Sequence, residues 1–398
     1  MNFNDNIFNI VHKDIVVFTR YLYVKDEVKI AMLISLLHKN NDVLFWAYEL
    51  YYSGFKHELF DFIWKIYYQF YATLNPSFES YLLIKYTDWK KSSSNDRDII
   101  IATILNNLLI RPFNTDIFIF KQLHSSYELC DGITEINIIN TSKSLNNLNN
   151  LFILWIEQCN YKAIGNFILS NVLFNHVDIY NIVLEIMLTN YLLKLNKSNL
   201  LEEFTKIVKS NIVSEDILLF VKIMTLFSQL KNKEKCKMYV IPDNFEFVNY
   251  YTIQSSKKMH SRKILQNACL CEIDHLKYLN IFNLIRNEMD TSIENIYNNM
   301  WLYHASFSPI WMNRILNKNG IIDHNNKQVI FENDDYEEAF YEKYAYEPDE
   351  QSCITKNKAI MKIDNIHTIN DLLNNNKNGL IVVNSEELNA LTEDKLKI

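Results

Sequence analysis

The chain has 398 residues, of which 48% are hydrophobic and 14% aromatic, and this composition predicts a folded protein with a substantial core. Only five glycines occur, whereas average usage would give about 28, so the clustered glycines of a P-loop or a dinucleotide-binding turn are excluded and no cofactor is predicted. The net charge of −7, with only six arginines among the 40 basic residues, argues against extensive nucleic-acid binding, because arginine is the preferred donor to phosphates and bases.

Residues 1–235 are predicted to form an array of consecutive helices joined by short polar breaks, as in stacked αα-hairpins. Apolar residues three and four apart predict a helix from Lys25 to His38, and the next, from Val43 to Ser53, is apolar almost all round, which indicates burial. Gly54 follows where a helix often ends in a left-handed residue. The helix starts are unevenly spaced, so the array is helical-repeat-like without matching a named repeat. Further helices are predicted at residues 56–71, 75 to 86 or 89, 95 or 96 to 109, 115–124, 148–158, 161–169, 178–195, 199–210 and 214–230.

A second helical region is predicted at residues 243–320, after the charged residues 231–235 and the helix-stopping Pro242. Residues 321–398 are predicted as a small α/β or irregular region, because a strand at 328–331 and a helix at 334–344 precede a β-α-β-α alternation from residue 356. The predicted fold class is mainly α, an irregular helical-repeat or bundle array of αα-hairpins with a small α/β C-terminal appendage. The second region's helices are predicted at residues 245–251, 261–268, 275–286, 292–304 and 309–316.

Aromatic and acidic residues are concentrated between Trp301 and Glu350, which we call the acidic-aromatic segment. Tyr336, Phe340 and Tyr344 are four residues apart and form one aromatic face on an acidic helix. This face either docks the helix on the core with its acids solvated, or belongs to a patch that recognises a basic partner; paired acids that bind a divalent cation are a third interpretation. The candidate partner-binding residues are Trp301, Tyr303, His304, Trp311, Asp334, Asp335, Tyr336, Glu338, Tyr344, Tyr346, Asp349 and Glu350.

Candidate catalytic and metal-binding groups are few, and neither a catalytic residue nor a metal site is predicted. Glu49 lies in an otherwise apolar helix, where it is either a general acid or base or the partner of a lysine such as Lys56. Cys269 and Cys271, with two histidines nearby, are the one cluster that resembles a zinc site. Their spacing is shorter than the usual chelate and would place the two thiols on opposite sides of a helix, so we expect packed, reduced cysteines.

Asparagine, isoleucine, lysine and tyrosine are abundant, as in proteins encoded by AT-rich genomes, so asparagine clusters are not interpreted as functional. Two groups of basic residues support an alternative function. In this alternative the protein is an accessory factor for transcription or DNA handling, and the basic residues contact nucleic acid. They are Lys231, Lys233 and Lys235, and Lys257, Lys258, Arg262 and Lys263.

Neither a membrane span nor a secretory signal is expected. The longest apolar stretches, such as residues 99–104 and 151–156, are far shorter than the roughly 18 to 20 residues that cross a bilayer. The amino-terminal residues 1–5 lack the basic start and apolar run of a signal peptide. An intracellular protein is therefore predicted.

Two stretches of the chain resemble uncharacterised proteins of nucleocytoplasmic large DNA viruses of the mimivirus type. They are residues 46–55, with the sequence WAYELYYSGF, and the acidic-aromatic segment. The resemblance implies a viral protein of the host cytoplasm, the viral factory or the virion. It supplies neither an activity nor functional residues.

The leading hypothesis is a non-enzymatic interaction or scaffold protein. It would bind proteins, such as viral assembly or transcription components, through its helical surface and the acidic-aromatic segment. The hypothesis rests on the abundant aromatic residues, which favour protein interfaces, and on the lack of a convincing catalytic set. Two alternatives stand beside it: the accessory factor that contacts nucleic acid, and a diverged enzyme with a site near His304, Asp334 and Asp335.

Overall fold

The computed structural model describes residues 16–92, 94–126, 154–155, 158, 160–161, 163–165, 180–181, 183–185, 215–231, 238–242, 295–296, 299–344 and 378–381. Over these residues the protein is mostly helical, with a small two-stranded antiparallel sheet in the carboxyl-terminal part, so the predicted mainly α fold is confirmed. The helices are α1 (Lys25–Leu37), α2 (Asp42–Tyr52), α3 (Lys56–Ile66), which continues into a π-helical turn (Tyr67–Tyr71), α4 (Phe78–Lys91), α5 (Ser94–Leu109), α6 (Asp116–Ser126), α7 (Glu215–Lys231), α8 (Trp301–Ala305), α9 (Pro309–Leu316) and α10 (Asp334–Tyr344); the strands are β1 (Gly320–Asp323) and β2 (Gln328–Phe331).

Several elements have the bounds that the sequence predicts. Helix α9 begins at Pro309, which suits a first helical turn because proline has no N–H to leave unbonded, and β2 and α10 also match their predicted ranges. The sequence does not predict β1, because glycine and aspartate are depleted in strands and leave Ile321 and Ile322 alone to indicate it. The predicted helices at residues 148–158, 161–169, 178–195 and 292–304 are described only in part; those at 199–210, 245–251, 261–268 and 275–286, and nearly all of the alternation from residue 356, lie outside the described residues.

The chain forms two compact units. Unit 1 comprises Met1–Leu59 and Asp243–Ile366, and unit 2 comprises Phe60–Pro242 and His367–Ile398. Each unit therefore combines two separate stretches of chain. The sequence instead predicts three consecutive regions, 1–235, 243–320 and 321–398.

Aromatic residues make up five of the twelve described residues in the core of unit 1 around the hairpin. Its strands pair in antiparallel register from Gly320 opposite Phe331 to Asp323 opposite Gln328. Because side chains alternate along a strand, Val329 and Phe331 face the core and the other face of the hairpin points outward. The aromatic residues buried in this core are Phe18, Trp301, Trp311, Phe331 and Phe340.

Gly54 joins α2 to α3 in the backbone conformation that the sequence predicts for it. Its φ of +101° is one that side chains rarely adopt. A Cβ atom at this position would lie 2.5 Å from the Cβ atom of Pro309, so the glycine also lets α9 approach the end of α2. The approach is fixed by the amide of Ile310, which donates to the carbonyl of Ser53 at 3.2 Å.

Unit 2 contains α4 to α7 and the carboxyl-terminal part of α3. Its helices pack largely through rings, with centroids 4.6 Å apart for Phe60 and Trp89 and 5.3 Å apart for Phe70 and Phe118. Two stretches without regular secondary structure, 238–242 and 378–381, also belong to this unit. Across the described part of both units, no helix is long and apolar enough to cross a membrane.

Candidate functional site

The two tryptophans of the acidic-aromatic segment are core residues of unit 1. Trp301 and Trp311 are buried and meet edge to face, with ring centroids 5.5 Å apart. The indole Nε1 of Trp311 donates a hydrogen bond of 2.9 Å to the carbonyl of Thr19. The rings of this pair are covered by the fold and present no surface to a partner.

His304 and Tyr303 are also buried, beside each other on α8. The Nδ1 atom of His304 lies 3.0 Å from the carbonyl oxygen of Val16, and because that oxygen only accepts, Nδ1 carries the proton. Burial lowers the pKa of His304, since the imidazolium would be desolvated. Burial, with a contribution from Asp323, raises the pKa of Tyr303. Both side chains therefore remain uncharged near neutral pH.

The buried imidazole predicts that unit 1 loses stability in mild acid. The pKa of His304 is lowered from 6.5 in the folded chain, so the unfolded chain takes up a proton at higher pH than the folded chain does. Stability is then fully present above about pH 6.5 and falls as the pH decreases toward the lower, folded pKa. Urea denaturation at about pH 7.5 and about pH 5.5, the latter still above ordinary carboxyl pKa values, measures the change.

A substitution at His304 isolates this contribution. His304→Asn keeps an N–H donor close to the Nδ1 position and removes the titrating group, so the loss of stability between the two pH values is expected to shrink. His57→Gln removes an exposed histidine in the part of α3 that belongs to unit 1 and is the control, and the loss in this variant is expected to equal that of the unsubstituted protein. An equal loss in His304→Asn and the unsubstituted protein would assign the acid sensitivity to other groups.

Two residues of the predicted aromatic face of α10, Phe340 and Tyr344, pack on the core, whereas the third, Tyr336, is exposed. Phe340 is fully buried, with its ring centroid 5.1 Å from that of Phe331 and 5.0 Å from that of Tyr344. The guanidinium of Arg314 lies 4.3 Å from the ring centroid of Trp311 and 4.9 Å from that of Tyr344. The contacts of these rings with one another and with the guanidinium of Arg314 hold the inner side of α10 against α9.

The outer side of α10 is acidic and exposed. Asp334, Asp335 and Glu337 occupy its first turn, where carboxylates are favourable because they face the positive end of the helix dipole. The amide of Tyr336 donates to the side chain of Asn333 at 3.0 Å, which caps the helix. Tyr336 and Glu338 are exposed as well, whereas Tyr346, Asp349 and Glu350 lie outside the described residues.

The outward face of the hairpin carries an apolar pair that the sequence does not predict. Ile321 and Ile330 stand directly opposite each other on β1 and β2, and they are 68% and 48% exposed. Leu316, at the end of α9, is also exposed. The alternating pattern of β2 is enough to predict that Ile330 faces outward. That Ile321 lies beside it is known only from the pairing of β1 with β2. We call Ile321, Ile330 and the exposed acids of α10 the hairpin surface.

Glu49 is fully buried and is bound by the turn that precedes α1. One carboxylate oxygen accepts from Nε of Arg20 at 2.7 Å, and the other accepts from the backbone amide of Tyr21 at 3.0 Å. Lys56, considered above as its partner, instead places its ammonium 4.8 Å from the ring centroid of Tyr51. A carboxylate occupied in this way is typical of a structural ion pair rather than of a general acid or base.

The diverged-enzyme alternative gains no support from these positions. His304 is held in the core, whereas Asp334 and Asp335 lie on the surface at the start of α10. Over the described ranges, no group of three or more histidine, cysteine or acidic residues is arranged to hold a metal ion. Cys269 and Cys271, and the side chains of both basic groups, lie outside those ranges.

Comparisons with known protein families, with curated proteins and with solved structures find no match to this chain.

Proposed function

We propose that this protein is a non-enzymatic interaction or scaffold protein, which binds a basic, partly apolar segment of another protein through the hairpin surface. The observations that carry the proposal are the exposed pair of Ile321 and Ile330 and the exposed carboxylates of α10, which begins two residues after β2. The resemblance to proteins of large DNA viruses supports a viral, intracellular setting in which the partner is a component of assembly or transcription.

The exposed isoleucine pair has no role in the core of unit 1. Val329 and Phe331 supply the inward contacts of β2, and the side chains of Ile321 and Ile330 leave from the opposite face. Full burial of an isoleucine side chain stabilises by about 1.5 to 3 kcal/mol. Because the two side chains are already partly covered, the pair offers a partner about 2 to 3.5 kcal/mol at most, before the cost of association.

The exposed carboxylates of α10 determine which kind of partner is favoured. Two residues separate β2 from α10, and the helix then presents Asp334, Asp335, Glu337, Glu338 and Glu342 to solvent. Carboxylates around an apolar contact speed the association of a basic partner and disfavour an acidic one. A segment that alternates apolar residues with lysine or arginine fits both features.

Matched substitutions test the interaction. Ile321→Thr/Ile330→Thr keeps the β-branched side chains that strands favour while removing the apolar surface, and Ile84→Thr makes the same change at a 57% exposed site on α4. Tagged protein is recovered from infected cells, and bound proteins are quantified by mass spectrometry after cross-linking. For a partner that cross-links to residues 320–342, we expect the double variant to recover at least about tenfold less than the unsubstituted protein. We expect Ile84→Thr to recover the same amount as the unsubstituted protein.

A second variant tests the charge of the partner. Asp335→Lys/Glu338→Lys reverses two exposed charges and is expected to lower recovery most at low ionic strength, where screening is weakest. Recovery of an isolated monomer, or equal recovery of the partner by the double threonine variant, would contradict the proposal. Retardation of DNA or RNA at low salt would favour the nucleic-acid alternative instead.

A further inference from the structure

A short stretch of unit 2, Met238–Pro242, is bound along α5 through its backbone; we call it the strap. The amide group of Asn107 donates from Nδ2 to the carbonyl of Val240 at 2.8 Å, and its Oδ1 accepts from the N–H of Val240 at 3.0 Å. A residue whose N–H and C=O both point to one side has the geometry of a residue paired in an antiparallel sheet. Asn107 therefore replaces the neighbouring strand.

Arg111, one turn after Asn107, extends the contact along the strap. Its Nη2 donates to the carbonyl of Met238 at 3.3 Å, and its Nη1 donates to the carbonyl of Asn107 at 2.6 Å. Its guanidinium lies between two rings, 4.2 Å from the centroid of Phe78 and 4.6 Å from that of Tyr239. Asn107 is also held without the strap, because its Nδ2 donates to the carbonyl of Thr103 at 2.7 Å and its Oδ1 accepts from Nη1 of Arg111 at 3.2 Å.

The strap is held through its backbone, the ring of Tyr239 and the buried Pro242, and Val240 is half-buried. Met238, Tyr239 and Ile241 are 60%, 47% and 87% exposed. The ring of Tyr239 lies 4.6 Å from that of Tyr81, so its contacts are with α4 and Arg111. Backbone hydrogen bonds are available to any peptide, and the requirement on sequence comes from the aromatic residue before the one that Asn107 holds and from the buried proline two residues after it.

The same unit holds a second stretch of its own chain through the backbone. The buried carboxylate of Asp116, on the first turn of α6, accepts from the amide of Leu380 at 2.9 Å and from that of Ile381 at 3.0 Å. Buried side chains on successive helices thus bind main-chain groups of chain segments that are distant in sequence. Backbone capture is a repeated property of this helical array.

We propose that Asn107, Arg111, Phe78 and Tyr81 form a binding site for strand-like peptides that carry an aromatic residue, and that the strap is its resident, displaceable occupant. The ligand is a peptide segment of another protein with an aromatic residue immediately before the one that Asn107 holds and a proline two residues after it, as Tyr239 and Pro242 flank Val240. This site lies in unit 2 and is independent of the hairpin surface.

A tethered strap competes strongly with a free peptide. Its effective concentration is in the millimolar range for a short connection, so a peptide added to the unsubstituted protein binds weakly. Val240→Pro removes the N–H that donates to Asn107 and leaves the helices unaltered. The site in this variant is expected to be open to peptides added in trans.

Fluorescence anisotropy with a labelled peptide of residues 237–244 tests the proposal. We expect Val240→Pro to bind this peptide at least about tenfold more tightly than the unsubstituted protein, and Asn107→Leu in the same background to lose that gain. A matched peptide N-methylated at the Val240 position lacks only the donor to Asn107 and is expected to fail. Equal binding of both peptides, or no binding to Val240→Pro, would overturn the proposal.

A second variant keeps the test decisive if proline disturbs the fold. Tyr239→Ala removes the ring from Arg111 and Tyr81 and leaves every backbone group of the strap in place. This variant is expected to bind the labelled peptide several-fold more tightly than the unsubstituted protein does. Far-ultraviolet circular dichroism and thermal unfolding check that the variant is folded. If this folded variant binds no better, the site is a fixed structural contact and the proposal fails, while the hairpin surface is unaffected.

Discussion

Replacement of Arg20 by leucine is expected to lower the free energy of unfolding by about 3 to 5 kcal/mol, because it leaves the carboxylate of Glu49 buried without its counter-ion. Both side chains are essentially inaccessible to solvent, and their atoms approach to 2.7 Å. The cost of removing one partner from such a pair comes from the desolvated charge that remains, which no water can reach.

The surroundings of the pair make relaxation difficult. The backbone amide of Arg20 donates to the hydroxyl of Ser53 at 2.7 Å, and its guanidinium lies 4.7 Å and 4.9 Å from the ring centroids of Tyr21 and Tyr52. The turn before α1 and the end of α2 are thus joined by hydrogen bonds, charge and rings together. A leucine at position 20 would lose all of the side-chain contributions at once.

An exposed ion pair of unit 2 provides the control. Lys85 and Asp88 on α4 are 3.6 Å apart with both side chains accessible, and Lys85→Ala is expected to cost less than about 1 kcal/mol. Replacing both Arg20 and Glu49 by leucine is expected to cost less than the sum of the two single changes, because no lone charge is left. Strict additivity in urea denaturation, or an Arg20→Leu cost close to that of Lys85→Ala, would contradict the buried-pair interpretation.

Local sequence patterns account for most of the helices and for one strand. Pro309 fixes the start of α9, and the run of acids fixes the start of α10, because both signals act within one turn. Glu49 is recognisable as unusual in an apolar helix, but its partner Arg20 lies 29 residues away. No periodicity within α2 carries that information, since the pairing depends on tertiary structure.

The two binding surfaces differ in how much of them the sequence reveals. The acids of α10 are evident, whereas the exposure of Ile321 depends on how β1 pairs with β2. Asn107 and Arg111 follow each other at helical spacing in an apolar run, but asparagine is so abundant in this chain that one more attracts no attention. The contact with Val240, 133 residues away, marks Asn107 as a binding residue, and it depends on tertiary structure.

Trp311→Ala is expected to destabilise unit 1 by about 3 to 5 kcal/mol, the usual cost of deleting a large aromatic side chain from a core. The ring is fully buried, and its neighbours include the rings of Trp301, Phe340 and Tyr344. Its removal would leave a cavity beneath α10 and take away the face on which the Arg314 guanidinium rests. Urea denaturation, followed by circular dichroism so that the lost indole does not affect the signal, measures the change.

Tyr336→Ala is the matched control, because Tyr336 belongs to the same acidic-aromatic segment and is 36% exposed. It is expected to change stability by less than about 0.5 kcal/mol, as surface substitutions usually do. Trp311→Phe separates the hydrogen bond from the volume: it keeps a ring but loses the 2.9 Å bond to Thr19, so an intermediate cost is expected.

If Trp311→Ala left stability unchanged while abolishing partner recovery, the tryptophan would be an interface residue and the core assigned to unit 1 would be wrong. If Tyr336→Ala cost as much as Trp311→Ala, the outer side of α10 would be part of the fold rather than of the hairpin surface.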